Sequence, residues 1–144
     1  NWPLTLSRDG VRTPMPWQAD PENLGFGSGE PWLPVGTDHA ALAVDRQTAE
    51  NGSLLNLTRG LIATRAANPA LREGAMAVVE ADNALLVFTR SAVGQRLTCA
   101  FNLGKAALGW HPSATDRVRV IAAVNGAAPG ELPPYSGIVL EHID

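Results

Sequence analysis

The clearest periodic pattern along the chain is a helical stripe between Ser53 and Ala67. Ser53 is a favoured N-cap residue, and Pro69 cannot extend the backbone hydrogen-bond ladder of a helix. The apolar members of the stripe recur at helical spacing, and they are Leu54, Leu55, Leu57, Leu61 and Ile62. A helix of about fourteen residues is marginal by itself. We therefore expect this face to pack on or beside another element.

After Gly74 the pattern changes to short apolar runs and period-two alternation, which is typical of β-strands. Turn-forming residues such as Asp82-Asn83 and Leu103-Gly104-Lys105 separate the runs. The predicted strands are 76–80, 84–90, 96–102, 118–124 and 138–142. The connections are too short for parallel crossovers, so we predict an antiparallel β-sandwich.

The first 36 residues show neither the helical nor the strand periodicity of apolar residues, and they are rich in Pro, Gly and Trp. Three of the four tryptophans lie here, at Trp2, Trp17 and Trp32. A structureless stretch of this length is unusual inside a compact domain, and a small free domain would not keep such residues exposed. We therefore expect a long active-site loop that belongs to a larger scaffold. The next segment, 40–44, fits either a short strand or the start of a helix.

Composition narrows the class of protein. A net charge of −3 with only 11 Lys and Arg among 144 residues argues against nucleic acid as a partner. No apolar run reaches about 18 residues, so no membrane span is predicted. The first residue is Asn rather than Met, so we expect the sequence to be cut from a longer protein. The compartment stays open, with the cytoplasm preferred.

Most other candidate chemistry is weak. Cys99 is the single cysteine and sits in a predicted buried strand, so we expect an inert core thiol. The three histidines are scattered without metal-ligand spacing, so we predict no metal site and no cofactor. The glycine-rich run 25–29 does not follow a strand, which argues against a phosphate loop. Nothing in the sequence shows that any two of the loop acids are held together as a catalytic pair, so we predict no catalytic residue.

The stretch from Arg8 to Trp17 carries the strongest candidate site. Gly10 permits a turn, and two prolines stiffen the backbone between the arginines and Trp17. Arg8 and Arg12 would then hold guanidinium groups in fixed places, with Trp17 as a flat apolar wall. This combination suits a polar ligand with an apolar face, such as a sugar. The alternative is a surface loop whose arginines pair with nearby acids, and residue types alone favour that alternative.

The same stretch, Arg-Asp-Gly-x-Arg-Thr-Pro-Met-x-Trp, resembles a late segment of the α-glucosidases of glycoside hydrolase family 13, the α-amylase superfamily. Oligo-1,6-glucosidases, trehalose synthases and sucrose-active relatives share it. The downstream segments 25–26, 31–35, 53–57 and 65–71 match the same branch in the same order. Two positions depart from the pattern: Val11 stands where Cys or Asn is commoner, and Ala43 where Asn is usual.

The resemblance implies the architecture. It implies a mainly β chain, in which 71–144 form a C-terminal antiparallel β-sandwich of the α-amylase domain C type. Residues 1–70 would be the tail of a (β/α)8 catalytic barrel, namely its last long loop and last helix. The catalytic acids of such enzymes sit at the ends of earlier barrel strands. No segment here resembles those strands, so we expect this chain alone to be inactive.

The resemblance also implies a role for Arg12. It would pair with an aspartate from an early loop of the barrel and hold the hydroxyls of the non-reducing-end glucose. Arg8 would do the same or only brace the loop. The implied partners are α-glucoside sugars and the remainder of the barrel. A second copy of the chain is a further candidate, since it would bury the tryptophan-rich loop.

Two classes of function remain open. The first is the C-terminal part of a retaining α-glucosidase-type hydrolase of small oligosaccharides, with a trehalose synthase or sucrose-active transglycosylase relative as a variant. The second is a free-standing carbohydrate-binding or regulatory β-sandwich module. The arginine loop favours the first class, because such a loop can form part of a substrate pocket only when a catalytic barrel lies beside it. The predicted sandwich offers only Trp110 and Tyr135 as Trp or Tyr side chains for a sugar.

Overall fold

The computed structural model describes residues 9–143. The chain forms two compact units, with the boundary between Gly60 and Leu61. The first unit contains two short 3₁₀ turns, Asp9–Val11 and Glu22–Gly25, and the helix α1, Val44–Ala49. Helix α2, Leu54–Ala67, starts in the first unit and ends in the second.

The start of α2 is fixed by side-chain caps. The backbone N–H of Asn56 donates to the Ser53 hydroxyl at 3.2 Å, which confirms Ser53 as the cap residue. The Asn56 side-chain amide donates to the carbonyls of Gln47, Thr48 and Glu50 at 3.0, 3.2 and 2.8 Å. The end of α1 is therefore tied to the first turn of α2.

Helix α2 ends where the sequence predicts. A further short helix follows it, which the sequence analysis does not predict. Asn68 ends α2, and α3, Pro69–Glu73, begins directly after it with proline in its first turn. Within the described residues α2 buries none of its side chains, and Leu54 and Ile62 are 73% and 63% exposed. The expected burial of its apolar stripe is therefore not found in this chain. The helix that packs on the sheet is α3, against β2 and β3.

The second unit is built on a five-stranded sheet in the order β1-β2-β3-β5-β4. Its strands are β1 Ala75–Ala81, β2 Leu85–Ala92, β3 Gln95–Asn102, β4 Val118–Val124 and β5 Ser136–His142. Every neighbouring pair is antiparallel, as predicted. The ends of the predicted strands differ from the observed ones by two residues at most. The mainly β, antiparallel prediction is thus confirmed.

The core lies between one face of this sheet and a covering layer of loop segments. The buried cluster comprises Leu85, Val87, Ala100, Ala127, Leu132, Ile138 and Leu140, with Leu108, Trp110 and Val118 packed against it. A short antiparallel bridge between Leu108 and Leu132, with N–H···O distances of 3.0 and 2.8 Å, orders the covering layer. The layer that covers the sheet therefore consists of irregular segments joined by isolated β-bridges.

A buried amide joins the covering layer to the sheet. The Asn102 side-chain N–H₂ lies 2.8, 2.8 and 2.9 Å from the carbonyl oxygens of Ala106, Leu132 and Pro133. Its side-chain oxygen accepts the N–H of Gly104 at 2.9 Å. Asn102 is fully buried. Every polar atom of this side chain is therefore satisfied, as burial requires.

The other sheet face is partly covered, with Leu97 and Cys99 buried and the rings of Phe88 and Phe101 half-buried. Phe88 of β2 and Phe101 of β3 stack there with ring centroids 5.9 Å apart. A Cβ placed on Gly137 would lie 2.5 Å from the Phe101 ring, so β5 needs glycine at this point. Near the start of β3, the Arg90 Nε–H donates to the Ala70 carbonyl at 3.0 Å and holds α3 on this face.

Candidate functional site

Arg12 follows the first 3₁₀ turn of the described chain. Its backbone N–H donates to the Asp9 carbonyl at 3.0 Å and closes that turn. The Arg12 side chain is exposed, whereas Pro14 two residues later is buried. Within residues 9–143 the guanidinium makes no ion pair, so the pairing of this arginine with a nearby loop acid is not seen. Arg8, the second predicted site residue, lies outside the described residues.

The backbone after Arg12 is clamped on both sides. The carbonyls of Pro16 and Trp17 accept the N–H groups of Val44 and Asp45 at 2.9 and 3.1 Å. These are the first amides of α1, which have no partner inside the helix. On the other side, the N–H groups of Trp17 and Gln18 both donate to the Leu24 carbonyl, at 2.9 and 3.0 Å. The loop is therefore stiffer than its proline content alone indicates.

A left-handed turn creates the second clamp. Asn23 and Leu24 have φ angles of 50° and 52°, which cost free energy for residues with a Cβ. The Asn23 side-chain amide donates to the carbonyls of Gly27 and Gly29 at 3.3 and 2.8 Å, and Leu24 is buried. These contacts hold the strained turn in place.

Asp45 is a further scaffold residue that the sequence interpretation missed. Its Oδ2 accepts the Ala19 N–H at 3.1 Å, and its Oδ1 accepts the Arg46 N–H at 2.7 Å. The Arg46 guanidinium in turn lies 3.6 Å from an oxygen of Asp20 in an exposed ion pair. An acid in the first turn of a predicted helix was the available signal, but 40–44 fitted a strand equally well.

Large apolar side chains of the same unit remain at the surface. Trp17 is 50% exposed and Trp32 83%, and Phe26 and Met15 are also exposed. Aromatic faces that reach solvent suit the apolar faces of sugar rings, and a guanidinium supplies fixed planar donors for hydroxyl or carboxylate oxygens. The first unit thus presents both groups that the sequence analysis required for a sugar.

The cysteine is buried, and two of the histidines form hydrogen bonds within the fold. Burial raises the pKa of the Cys99 thiol to about 11, so it stays protonated at neutral pH, in agreement with the predicted inert thiol. The His39 Nδ1 accepts the Gly36 N–H at 3.2 Å, and the His142 Nε2 lies 2.8 Å from the Thr98 hydroxyl. Across residues 9–143, no three His, Cys, Asp or Glu side chains are grouped closely enough to hold a metal ion.

The described helices include none that combines the length and apolar character needed to cross a membrane.

Comparison with known proteins defines the family. Residues 2–74 match the family described as alpha amylase, catalytic domain. Since this match covers half of the sequence, the chain belongs to the α-amylase family, glycoside hydrolase family 13.

Several curated relatives narrow the branch. A probable alpha-glucosidase of Rhizobium meliloti is 42% identical over 74% of this chain, and a probable oligo-1,6-glucosidase 2 of Bacillus subtilis is 34% identical over 71%. A trehalose synthase/amylase TreS of Mycobacterium tuberculosis is 35% identical over 68%. The aligned regions amount to 18–19% of the length of these relatives. The chain therefore spans about a fifth of the proteins it matches.

Solved structures agree with this assignment. The trehalulose synthase MutB from Pseudomonas mesoacidophila MX-45 superposes with a TM-score of 0.81 and 27% identity, over 95% of this chain and 26% of that one. The isomaltulose synthase PalI from Klebsiella sp. LX3 gives 0.80 and 28% over the same shares. Both the α-glucosidase-type resemblance and the C-terminal β-domain are thereby confirmed at the level of the family.

Proposed function

We propose that this chain is the C-terminal part of a retaining α-glucosidase-type glycoside hydrolase that acts on α-glucosidic bonds of small oligosaccharides. Residues 1–70 serve as the tail of the catalytic barrel, and residues 71–144 as the C-terminal β-domain. The observation that carries the proposal is the clamped loop: its backbone is fixed by α1 and by Leu24, and it presents an exposed Arg12 guanidinium that forms no ion pair within residues 9–143.

Arg12 is the substrate-binding residue in this proposal. An aspartate of the barrel pairs with its guanidinium, and the two together bind the hydroxyls of the terminal glucose. The planar fork of a guanidinium can reach a carboxylate and a hydroxyl at once. Arg8 takes a similar or bracing role from its position four residues earlier in the motif. A pocket closed in this way favours attack at chain ends.

The catalytic acids come from outside these residues. The proposal needs a nucleophile and an acid/base about 5–5.5 Å apart. Two acids of the first unit have other contacts: Asp20 pairs with Arg46, and Asp45 accepts backbone amides. The 144-residue chain alone is thus inactive in this proposal.

The remainder of the barrel is the main partner. It covers the apolar stripe of α2, on which Leu54 and Ile62 are largely exposed, and the exposed Trp17 and Trp32. Leaving such side chains in water forgoes about 1.5–3 kcal/mol for each large apolar residue. A barrel that packs against them removes this cost.

Transglycosylation is the second candidate. It is favoured by the similarity to the trehalose synthase/amylase and to the isomaltulose synthase described above. Both candidates share the Arg12 pocket and the two carboxyl groups, and they differ in whether water or a sugar accepts the glucosyl group.

The test is an assay of the intact enzyme on maltose, isomaltose, sucrose and trehalose, with the products followed by proton NMR. The α-anomer of glucose should form first, and an enzyme of the second candidate should give a new disaccharide instead. First-formed β-glucose would overturn the retaining mechanism. Tight binding of maltose by the 144-residue chain itself would favour the carbohydrate-binding module.

A further inference from the structure

A polar cleft of about 390 Å³ lies at one end of the sheet in the second unit. Three segments converge there: the β2–β3 turn, the residues just before β4, and the end of β5. The lining residues are Ser91, Ala92, Gly94, Gln95, Arg96, Thr115, Asp116, Arg117, His142 and Ile143. Its volume falls in the range of roughly 300–1,000 Å³ that is usual for small-molecule sites.

The strand register brings polar side chains into one row at the cleft. Ser91 of β2 pairs with Arg96 of β3. The pairing of Leu97 with Glu141 puts His142 next to Arg96 on the neighbouring strand. Cross-strand partners share a sheet face with Cβ atoms about 4.5–5.5 Å apart. A hydroxyl, a guanidinium and an imidazole are thus adjacent.

The second arginine of the cleft is held by an ordered turn. The Asp116 N–H donates to the Ser113 carbonyl at 2.9 Å, and the Arg117 carbonyl accepts the Ile143 N–H at 2.8 Å. The bond from Ile143 fixes the Arg117 carbonyl beside the end of β5, and the bond from Asp116 to Ser113 closes the turn that precedes Arg117. The Arg117 guanidinium remains exposed, as does that of Arg96.

The charge balance of the cleft is positive in a chain whose net charge is −3. Within residues 9–143 neither Arg96 nor Arg117 forms an ion pair, whereas Arg119 nearby pairs with Glu141. Among the described residues that line the cleft, only Asp116 carries a carboxylate, and it faces the His142 Nδ1 at 3.7 Å. Two arginines are therefore available to an anion.

A smaller cleft adjoins this site. It has a volume of about 280 Å³, shares Arg96 and Asp116 with the first, and is also bordered by Trp110, His111 and Thr89. Glu80 also borders this second space, and its carboxylate can accept hydrogen bonds from hydroxyl groups. An anion bound between the two arginines would leave this space for a hydroxyl-bearing body attached to it.

We propose that the cleft between Arg96 and Arg117 binds the phosphate group of a small phosphate monoester. The guanidinium groups bind the phosphate oxygens, since two planar forks match an oxyanion with several acceptors. The hydroxyls of Ser91 and Thr115 provide further donors. All residues of this site belong to the second unit, and the proposal does not depend on the function proposed above.

The test is a titration of the full 144-residue chain by ¹⁵N-resolved NMR and calorimetry. Glucose 1-phosphate is the ester probe, inorganic phosphate the free-ion probe, and glucose the uncharged control. We expect saturable shifts at residues 91–96 and 115–117 with both phosphates and none with glucose. Tighter binding of the ester would identify the monoester rather than the free ion as the ligand, and binding of glucose as tight as its phosphate would overturn the proposal.

Substitutions separate a built site from general electrostatic attraction. Arg96→Gln and Arg117→Gln should each weaken phosphate binding by about tenfold or more, because each removes charge-assisted hydrogen bonds. The control is Lys105→Gln, which removes the same charge from an exposed side chain past the far end of β3. Equal weakening in all three variants, or no saturable shift in the unsubstituted chain, would show that no phosphate site exists here.

Discussion

Arg12 combines an exposed guanidinium with a backbone that is fixed a few residues later. Its guanidinium reaches solvent, whereas the backbone that follows is held by α1 and by the Leu24 carbonyl. An arginine in this state loses little backbone entropy when a ligand binds, because the loop is already ordered. The cost of binding is then confined largely to its own side chain.

The first prediction concerns Arg12 in the intact enzyme. Arg12→Ala should lower kcat/KM at least about a hundredfold, since removing one partner of a buried ion pair costs about 3–5 kcal/mol and each 1.4 kcal/mol is tenfold. Arg12→Lys should rescue poorly, because an ammonium lacks the planar fork. Arg8→Ala should cost less if Arg8 only braces the loop. Steady-state kinetics on maltose and isomaltose give the measurement.

The matched control is Arg59→Ala on α2, whose guanidinium forms a long, 3.5 Å hydrogen bond to the Thr48 hydroxyl and no ion pair within residues 9–143. It should leave kcat/KM nearly unchanged. Near wild-type kinetics for Arg12→Ala, in a protein with an intact fold, would show that Arg12 is ordinary loop surface.

The second prediction concerns the buried amide of Asn102. Asn102→Ala should lower the free energy of unfolding by about 2–3 kcal/mol, because it leaves buried carbonyls of the covering layer without a donor. Asn83→Ala, at an exposed turn, should change it by no more than about 0.5 kcal/mol. Urea unfolding of the chain measures both. Equal stability of the two variants would mean that water replaces the Asn102 amide.

Single residues divide clearly into those that sequence predicts and those that it does not. The strand pattern identified Cys99 as a buried thiol, whereas the role of Arg12 stays a prediction. Asn23 and Leu24 could not be foreseen in left-handed conformations, since neither is glycine and the contacts that hold them come from residues farther along the chain. Backbone strain of this kind depends on tertiary contacts.

At the scale of elements, local signals predicted well and long-range pairing did not. The Ser53 cap and the turn at 82–83 fix the ends of α2 and of the first hairpin. The insertion of β5 between β3 and β4 has no local signal, because antiparallel neighbours can be far apart in sequence. Helix α3 was missed because Pro69 was taken to end α2, although proline also suits the first turn of a new helix.

The side chains of Glu141 and Gln95 together link three strands and α3. Glu141 of β5 pairs with Arg119 of β4 and accepts the Gln95 side-chain N–H of β3 at 3.0 Å. The same Gln95 amide donates to the Asn68 side chain at 2.7 Å and accepts the Ala70 N–H at 3.1 Å. The hydrogen bonds from Gln95 and Arg119 hold the pKa of Glu141 below its usual value.

The third prediction follows from the sign of that shift. A carboxyl group with a lowered pKa in the folded state stabilises the fold above its unfolded pKa of about 4.3, and this stabilisation is lost as pH falls through the folded value. Glu141→Gln should therefore flatten the decline of Tm below about pH 4.3. Glu131→Gln, an exposed control, should leave that decline unchanged. If the Tm of Glu141→Gln declined at low pH as steeply as that of the unsubstituted chain, this would show that the ionised Glu141 carboxylate does not stabilise the fold.

At the scale of the whole molecule, the two units differ in what they can do alone. The sheet unit has its own core, in which seven buried side chains form one cluster. The loop unit has few buried apolar residues, Ala19, Leu24 and Ala43 among them, and keeps Trp17 and Trp32 at its surface. By this contrast the sheet unit is closer to an independent domain, and the loop unit depends more on a partner.

The last prediction is that the 144-residue chain alone does not hydrolyse maltose, isomaltose or sucrose. Retaining hydrolysis needs two carboxyl groups flanking the glucosidic bond, and the proposal places both in the missing barrel strands. The arginine loop would supply binding contacts without a nucleophile. Glucose release should stay at the level of a mock purification, while near-ultraviolet circular dichroism shows a folded chain. The decisive control is Arg12→Ala: turnover by the unsubstituted chain that this substitution abolishes could not come from a contaminant, and it would place the catalytic acids within these residues.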